Sequence, residues 1–262
     1  MIRAISSVLF SFQHHLWTLL RSKRVLFVLL LVTVAPLLAH LVTNPQRPMR
    51  ALVPVSLVLT LGILAPLTGL LMGASVISED IESKTLTYLI TRPVPRWCMF
   101  LGRWMACTLI VGVLLGLATW WIGYDIQSMT QGVEVKSKHQ IPEGFPLRFV
   151  VAAMISGILY TTIAAGLSTF MKRAMIAGIA YAFVLEMIVG NMPGSTQRFS
   201  MQYYLRNIVV DGDTSAFRRF GPVQMMELMP PADALLRLGV VWAVLLFGGC
   251  YIVQRRQYLL SS

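Results

Sequence analysis

Charge is scarce in this chain: 13% of its residues are Asp, Glu, Lys or Arg, against a globular norm of roughly 25%. With 56% apolar residues, a water-soluble domain of this length could not hide its apolar surface. The sequence therefore reads as an integral membrane protein with the bilayer as its solvent. Cysteine is rare as well. Cys98, Cys107 and Cys250 stand isolated, which gives neither a disulfide framework nor a metal-ligand spacing. Among the histidines only His14 and His15 are neighbours. Adjacent residues on a helix diverge by about 100° and chelate poorly, so no metal is expected. The sequence has no Gly-x-x-x-x-Gly-Lys-Ser/Thr loop, so the chain carries no phosphate-loop ATPase of its own. Acids are half as frequent as bases, giving a formal charge of +11. Those bases flank apolar runs, where they set orientation and meet anionic headgroups. No basic stripe with interleaved aromatics lies outside the runs, which argues against nucleic-acid binding.

Residues 1–24 are expected to form an amphipathic helix lying in the interface plane. Ile5, Leu9, Phe12, Leu16, Leu19 and Leu20 share one face at helical spacing, with Arg3, Ser7, His14 and Thr18 opposite. Arg21, Lys23 and Arg24 close its C-terminal end, where cations suit the helix dipole. A signal peptide fits less well, because the next apolar run is too long and lacks a small-residue cleavage site. Six runs then reach the length of about 17–25 residues that a span needs. They are Val25–Val42, Leu52–Ile77, Trp104–Ile122, Phe149–Phe170, Ala174–Val189 and Leu235–Val253. The fifth is short and is expected to continue past Gly190 in a broken form.

The fold class is thus an all-α integral membrane protein: six transmembrane helices, residues 25–262, behind the interfacial helix. Two long outer loops are expected. Residues 123–148 are polar, whereas 190–234 contain the apolar stretches Phe199–Val210 and Phe220–Met229. The latter suit short re-entrant or surface helices before the last span. Basic density in the connecting segments favours cytoplasmic N- and C-termini, and the setting is a multi-pass protein of the inner or plasma membrane.

Between the second and third runs lies a hydrophilic island, residues 78–103. Ser78 can cap a helix whose first turn holds Glu79, Asp80 and Glu82, acids that suit its positive end. That helix should run to about Ile90 and stop before Pro93, with Arg96 beginning the helix that becomes the third span. Leu86 and Ile90 lie on one side of it, Ile81 and Tyr88 nearly opposite. Such a helix is either sandwiched between the bundle and a partner protein, or is a surface helix touching lipid.

The stretch from Ile77 to Ala106 resembles the inner loop of type-2 ATP-binding-cassette (ABC) exporter permeases. The resemblance rests on the acidic start, Glu82, Thr85-Leu86, Leu89, Arg92-Pro93, Arg96, Leu101-Gly102 and Arg103. Ser83-Lys84 replaces the family's glycine region, Pro95 is added to the turn, and Arg103 stands for a lysine. The resemblance implies a coupling helix that docks into a separate ATP-binding subunit. Glu79, Asp80, Glu82, Thr85, Arg92 and Arg96 would make the docking contacts, with Lys172 and Arg173 as a second, smaller one. It further implies a homodimer or a heterodimer with a second permease. ATP and magnesium belong to the partner, and no cofactor is held by this chain.

Glu186 is the only acid inside an apolar run. A carboxylate there costs about 2.5–3.5 kcal/mol on insertion scales, so it must be protonated, paired or facing water. It is a candidate for the translocation path; alternatively it sits near the outer interface, satisfied by Asn191 or a loop arginine. Gly69 and Gly73, Gly112 and Gly116, and Ala174 and Gly178 have the spacing of close helix approaches, expected within the chain. Trp104, Trp120, Trp121 and Tyr124 bracket the third span like interface belts. The fifteen methionines do not cluster as ligands and are read as packing residues. Three functions are in view: an exporter permease, a membrane-embedded enzyme, and a non-transporting assembly factor. The enzyme would need a Ser–His, paired-acid or metal constellation that the sequence does not offer, and no motif excludes the third.

Overall fold

The computed structural model describes residues 2–78, 95–130, 141–142, 144–171, 173–192, 195–211, 217 and 226–255. Every regular element among them is helical. Helix α1 (Ile2–Leu20) is followed by α2 (Lys23–Val42), the first of six stretches long and apolar enough to cross a membrane. A short α3 (Met49–Val53) leads into the second, a π-helical stretch Pro54–Leu64 continued by α4 (Ala65–Ala74). The third is α5 (Arg96–Thr130) and the fourth α6 (Phe145–Phe170). The fifth, Ala174–Asn191, joins α7 (Ala174–Tyr181) to a π-helical turn (Ala182–Ile188) and a 3-10 turn (Val189–Asn191). After α8 (Met201–Val210), α9 (Pro231–Arg255) is the sixth.

Lipid tails are as apolar as leucine, so helices in a bilayer associate through close packing and hydrogen bonds. Here α6 is the centre, packed against α4 and α5. Glycine makes the approach to α4 possible. A methyl group on Gly69 would stand 2.7 Å from Tyr160 Cβ, and one on Gly73 would stand 2.7 Å from Ala164 Cβ. Gly178 meets Leu70 in the same way. Gly112 differs: nothing lies within 4 Å of a methyl placed there, so its partner in the Gly112–Gly116 spacing makes the only approach of the two, to Met154.

The amphipathic α1 packs edge-on against α5. Gly102 admits it, for a methyl there would fall 2.7 Å from the Val8 carbonyl oxygen, and the Ser11 hydroxyl donates to the Met99 carbonyl at 3.3 Å. The expected apolar face is consequently divided. Leu19 is buried and Phe12 and Leu16 pack on the core, while Ile5, Leu9 and Leu20 stay exposed.

Two expectations change. Helix α5 is 35 residues long, about 50 Å at 1.5 Å per residue, well beyond a hydrocarbon core of about 30 Å. Residues 123–130, expected in an outer loop, are therefore its last turns. Trp104 is not an interface anchor. It is buried, its indole N–H donates to Thr162 Oγ1 at 2.9 Å, and its ring meets Trp242. A tryptophan near the start of an apolar run looks like a belt residue, but α5 begins two turns earlier and carries Trp104 inward. Trp120, Trp121 and Tyr124 are exposed, as a belt requires.

The apolar stretch before the last span is structured as expected over Met201–Val210. Of the second stretch, Met226–Met229 is described and is not helical; it is pinned to α8, with Tyr203 donating to the Glu227 carbonyl at 2.8 Å and the Met229 N–H to Asn207 Oδ1 at 2.9 Å.

Candidate functional site

Glu79, Asp80, Glu82, Thr85 and Arg92 of the expected docking set, and Lys172 of the second contact, lie outside the described residues. Arg96 opens α5 and Arg173 is exposed just before α7. The Ser78 hydroxyl donates back to the Ala74 carbonyl, at the end of the span that precedes it.

The base of the island is closed by a residue the sequence reading treated only as part of a motif. Arg103 Nη1 donates to the Val76 carbonyl at 3.0 Å, joining the last turn of the second span to the second turn of the third. Beneath it, Cys107 Sγ lies 3.8 Å from Ser75 Oγ and 3.7 Å from His15 Nε2. Interfacial helix, second span and third span thus meet at one point. Burial, helped by the Arg103 charge and then by His14 and Arg24, lowers the His15 pKa to about 3, so this imidazole is neutral and bonds as such.

At the other end, Glu186 is completely buried. Its carboxylate accepts from Ser200 Oγ at 2.6 Å, Gln202 N at 3.0 Å, Met201 N at 3.2 Å and Tyr181 Oη at 3.0 Å. Two of these donors are orphan N–H groups of the first turn of α8, and an anion at a helix start also meets the positive end of the dipole. Ser200 is itself the N-cap, accepting from Gln202 N at 3.1 Å. The carboxylate so caps, across 15 residues of chain, a helix of which most is buried.

Arg206 supplies the matching cation. Buried at 4% exposure, it donates to the Gly190 carbonyl at 3.2 Å, to Asn191 Oδ1 at 3.2 Å and to Gln202 Oε1 at 2.8 Å. Asn191 therefore serves the arginine, while Glu186 takes the cap. Gly190 is the close approach that lets this happen, since a methyl there would lie 2.6 Å from Ser200 Oγ.

Gln202 extends the cluster to the second span. Its Nε2 donates to the Gly62 carbonyl at 3.0 Å. Four positions on stands Pro66, which has no N–H to offer an α-helical bond to that carbonyl. The local backbone is already π-helical, with Ala65 N–H reaching back to the Thr60 carbonyl. Freed carbonyls at membrane depth must find partners, and this one finds a side chain of α8. Missed by the sequence reading, Gln202, Arg206 and Ser200 had one signal: a proline within the second apolar run.

Hydrogen-bonded polar residues thus lie at the two ends of a bundle with six helices long and apolar enough to cross a membrane. No candidate metal cluster occurs among the described residues. The model of the ABC-2 family transporter protein matches residues 9–238, and the chain belongs to that family. It is a multi-pass membrane permease component of an ABC transporter. Comparison with curated proteins returns no match.

Proposed function

We propose that the chain is the permease of an exporter, driven by a separate ATP-binding subunit that docks on residues 78–103. Glu79, Asp80, Glu82, Thr85, Arg92 and Arg96 make the contact, with Lys172 and Arg173 as the smaller one. Two permeases, alike or different, work with two ATPase subunits that bind ATP and magnesium. Both termini lie in the cytoplasm. The observation that carries this reading is the family match, which takes in five spans and the start of the sixth.

Nucleotide closure draws the docking segments together. The free energy for the switch comes from tighter nucleotide binding in one state than in the other. Displacement enters the second span at Ser78 and the third at Arg96, held in register by the Arg103–Val76 bond. At Gly62 the second span meets Gln202 and so moves α8. Glu186 then acts as a positioning residue beside the translocation path, holding the start of α8 against the fifth span.

The test is copurification of the chain with its ATP-binding subunit. Charge reversal at both Glu82→Arg and Arg92→Glu is expected to abolish the complex and its ATPase stimulation. A doubly reversed permease that still assembled and turned over ATP normally would overturn the docking assignment.

A further inference from the structure

A cavity of about 540 Å³ opens where the first, second and fifth spans meet beside the α1–α2 junction. That volume falls within the range of about 300–1,000 Å³ usual for small-molecule sites. Its mouth carries Lys23, Arg24 and Arg173, and no carboxylate is among its described lining residues. Behind the cations the walls are apolar: Phe27 from α2, Leu71 from α4 and Ile176 from α7. The Ser75 and Ser78 hydroxyls in its lining are already committed, donating to the Met72 and Ala74 carbonyls of their own span.

We infer that this cavity binds an anionic membrane lipid, its phosphate between Lys23 and Arg173 and the upper part of one acyl chain against Phe27, Leu71 and Ile176. Charge complementarity selects an anion. The apolar throat selects one with a hydrocarbon tail, since a free anion would meet the cations but leave the contact surface of Phe27 and Ile176 unused. Basic residues at a membrane surface attract acidic headgroups in general; what is particular here is the cleft between three spans into which a tail fits. It lies between Arg173 and the start of the docking segment, so an occupant would brace both. The site does not depend on the direction of transport.

Thermal unfolding of the purified full-length chain in neutral detergent tests this. Dioleoylphosphatidylglycerol is expected to raise Tm, while dioleoylphosphatidylcholine and soluble glycerol phosphate do not. The double variant Lys23→Gln, Arg173→Gln should weaken the apparent affinity for dioleoylphosphatidylglycerol on the order of tenfold and leave the lipid-free Tm unchanged. Ile176→Trp, which fills the throat without changing charge, should weaken it as well. The double variant Arg47→Gln, Arg50→Gln, made away from the cavity, should not. Equal loss in that control, or no loss in Ile176→Trp, would show diffuse surface attraction and overturn the site. A response to glycerol phosphate equal to that of the lipid would overturn the lipid assignment.

Discussion

Glu186 illustrates how much one side chain can decide inside a membrane. Its carboxylate meets four donors, and truncation to alanine would strand the Met201 N–H and leave the Gln202 N–H to the Ser200 hydroxyl alone. Leaving a buried donor unsatisfied costs about 1–3 kcal/mol. Glu186→Ala is therefore expected to lower Tm and speed amide exchange at Met201 and Gln202, whereas Glu186→Gln, which keeps one acceptor oxygen, should fall between. Unchanged exchange at those amides in Glu186→Ala would refute the cap. The sequence made this acid conspicuous but could not name its donors. Three of the four lie 14–16 positions downstream, and only the return of the chain as α8 brings them to it.

His15 offers a second prediction at the same scale. Its folded pKa, about 3, is below the ordinary 6.5. As pH falls from about 6.5 to 3 the unfolded chain takes up a proton that the folded one refuses, so stability falls across that window and is level above it. Replacing His15 by Gln should flatten this part of the stability–pH profile. A variant with the same acid slope as the parent would assign the slope to other groups.

Among the elements, the glycines separate packing from pattern. Gly69→Ala and Gly73→Ala each force a methyl into α6 and are expected to destabilise by about 1–3 kcal/mol. Gly112→Ala meets open space and gains helix propensity, so it should be neutral or stabilising by up to about 1 kcal/mol. Thermal unfolding in detergent ranks the three, and a Gly112→Ala as damaging as Gly73→Ala would contradict the packing described. The three spacings look alike in the sequence. What distinguishes them is which face of each helix meets a neighbour, and that depends on the whole bundle. The six long apolar helices, the helix before them and the helical segment at Met201–Val210 were legible because length and apolar periodicity are local properties. The far end of α5 was not, because its last turns are polar enough to read as loop. Gln202 lies on the same boundary: Pro66 announces an unbonded carbonyl, but nothing nearby in sequence says which group takes it. Gln202→Leu should leave ATP turnover of the assembled transporter intact while slowing transport. Parallel loss of both would instead place Gln202 in general stability.

For the molecule as a whole, orientation fixes which end meets the motor. Exposed Gln46 and Arg173 sit on loops separated by an odd number of spans. Cysteine at position 46 should react with a membrane-impermeant thiol reagent added outside intact cells, and cysteine at 173 only after permeabilisation. The reverse pattern would invert the protein and remove the docking segment from any cytoplasmic ATPase. Composition alone carried the membrane assignment, and the resemblance around residues 77–106 pointed to the family that the match over 9–238 then established.

Helix α5 outreaches the hydrocarbon layer and is bound at both extremities, by Arg103 to the second span and, through Asp125, to His40 of the first at 3.0 Å. A rod tied near each tip to a different neighbour cannot lean alone: any tilt of α5 has to carry the second span at one end and the first at the other.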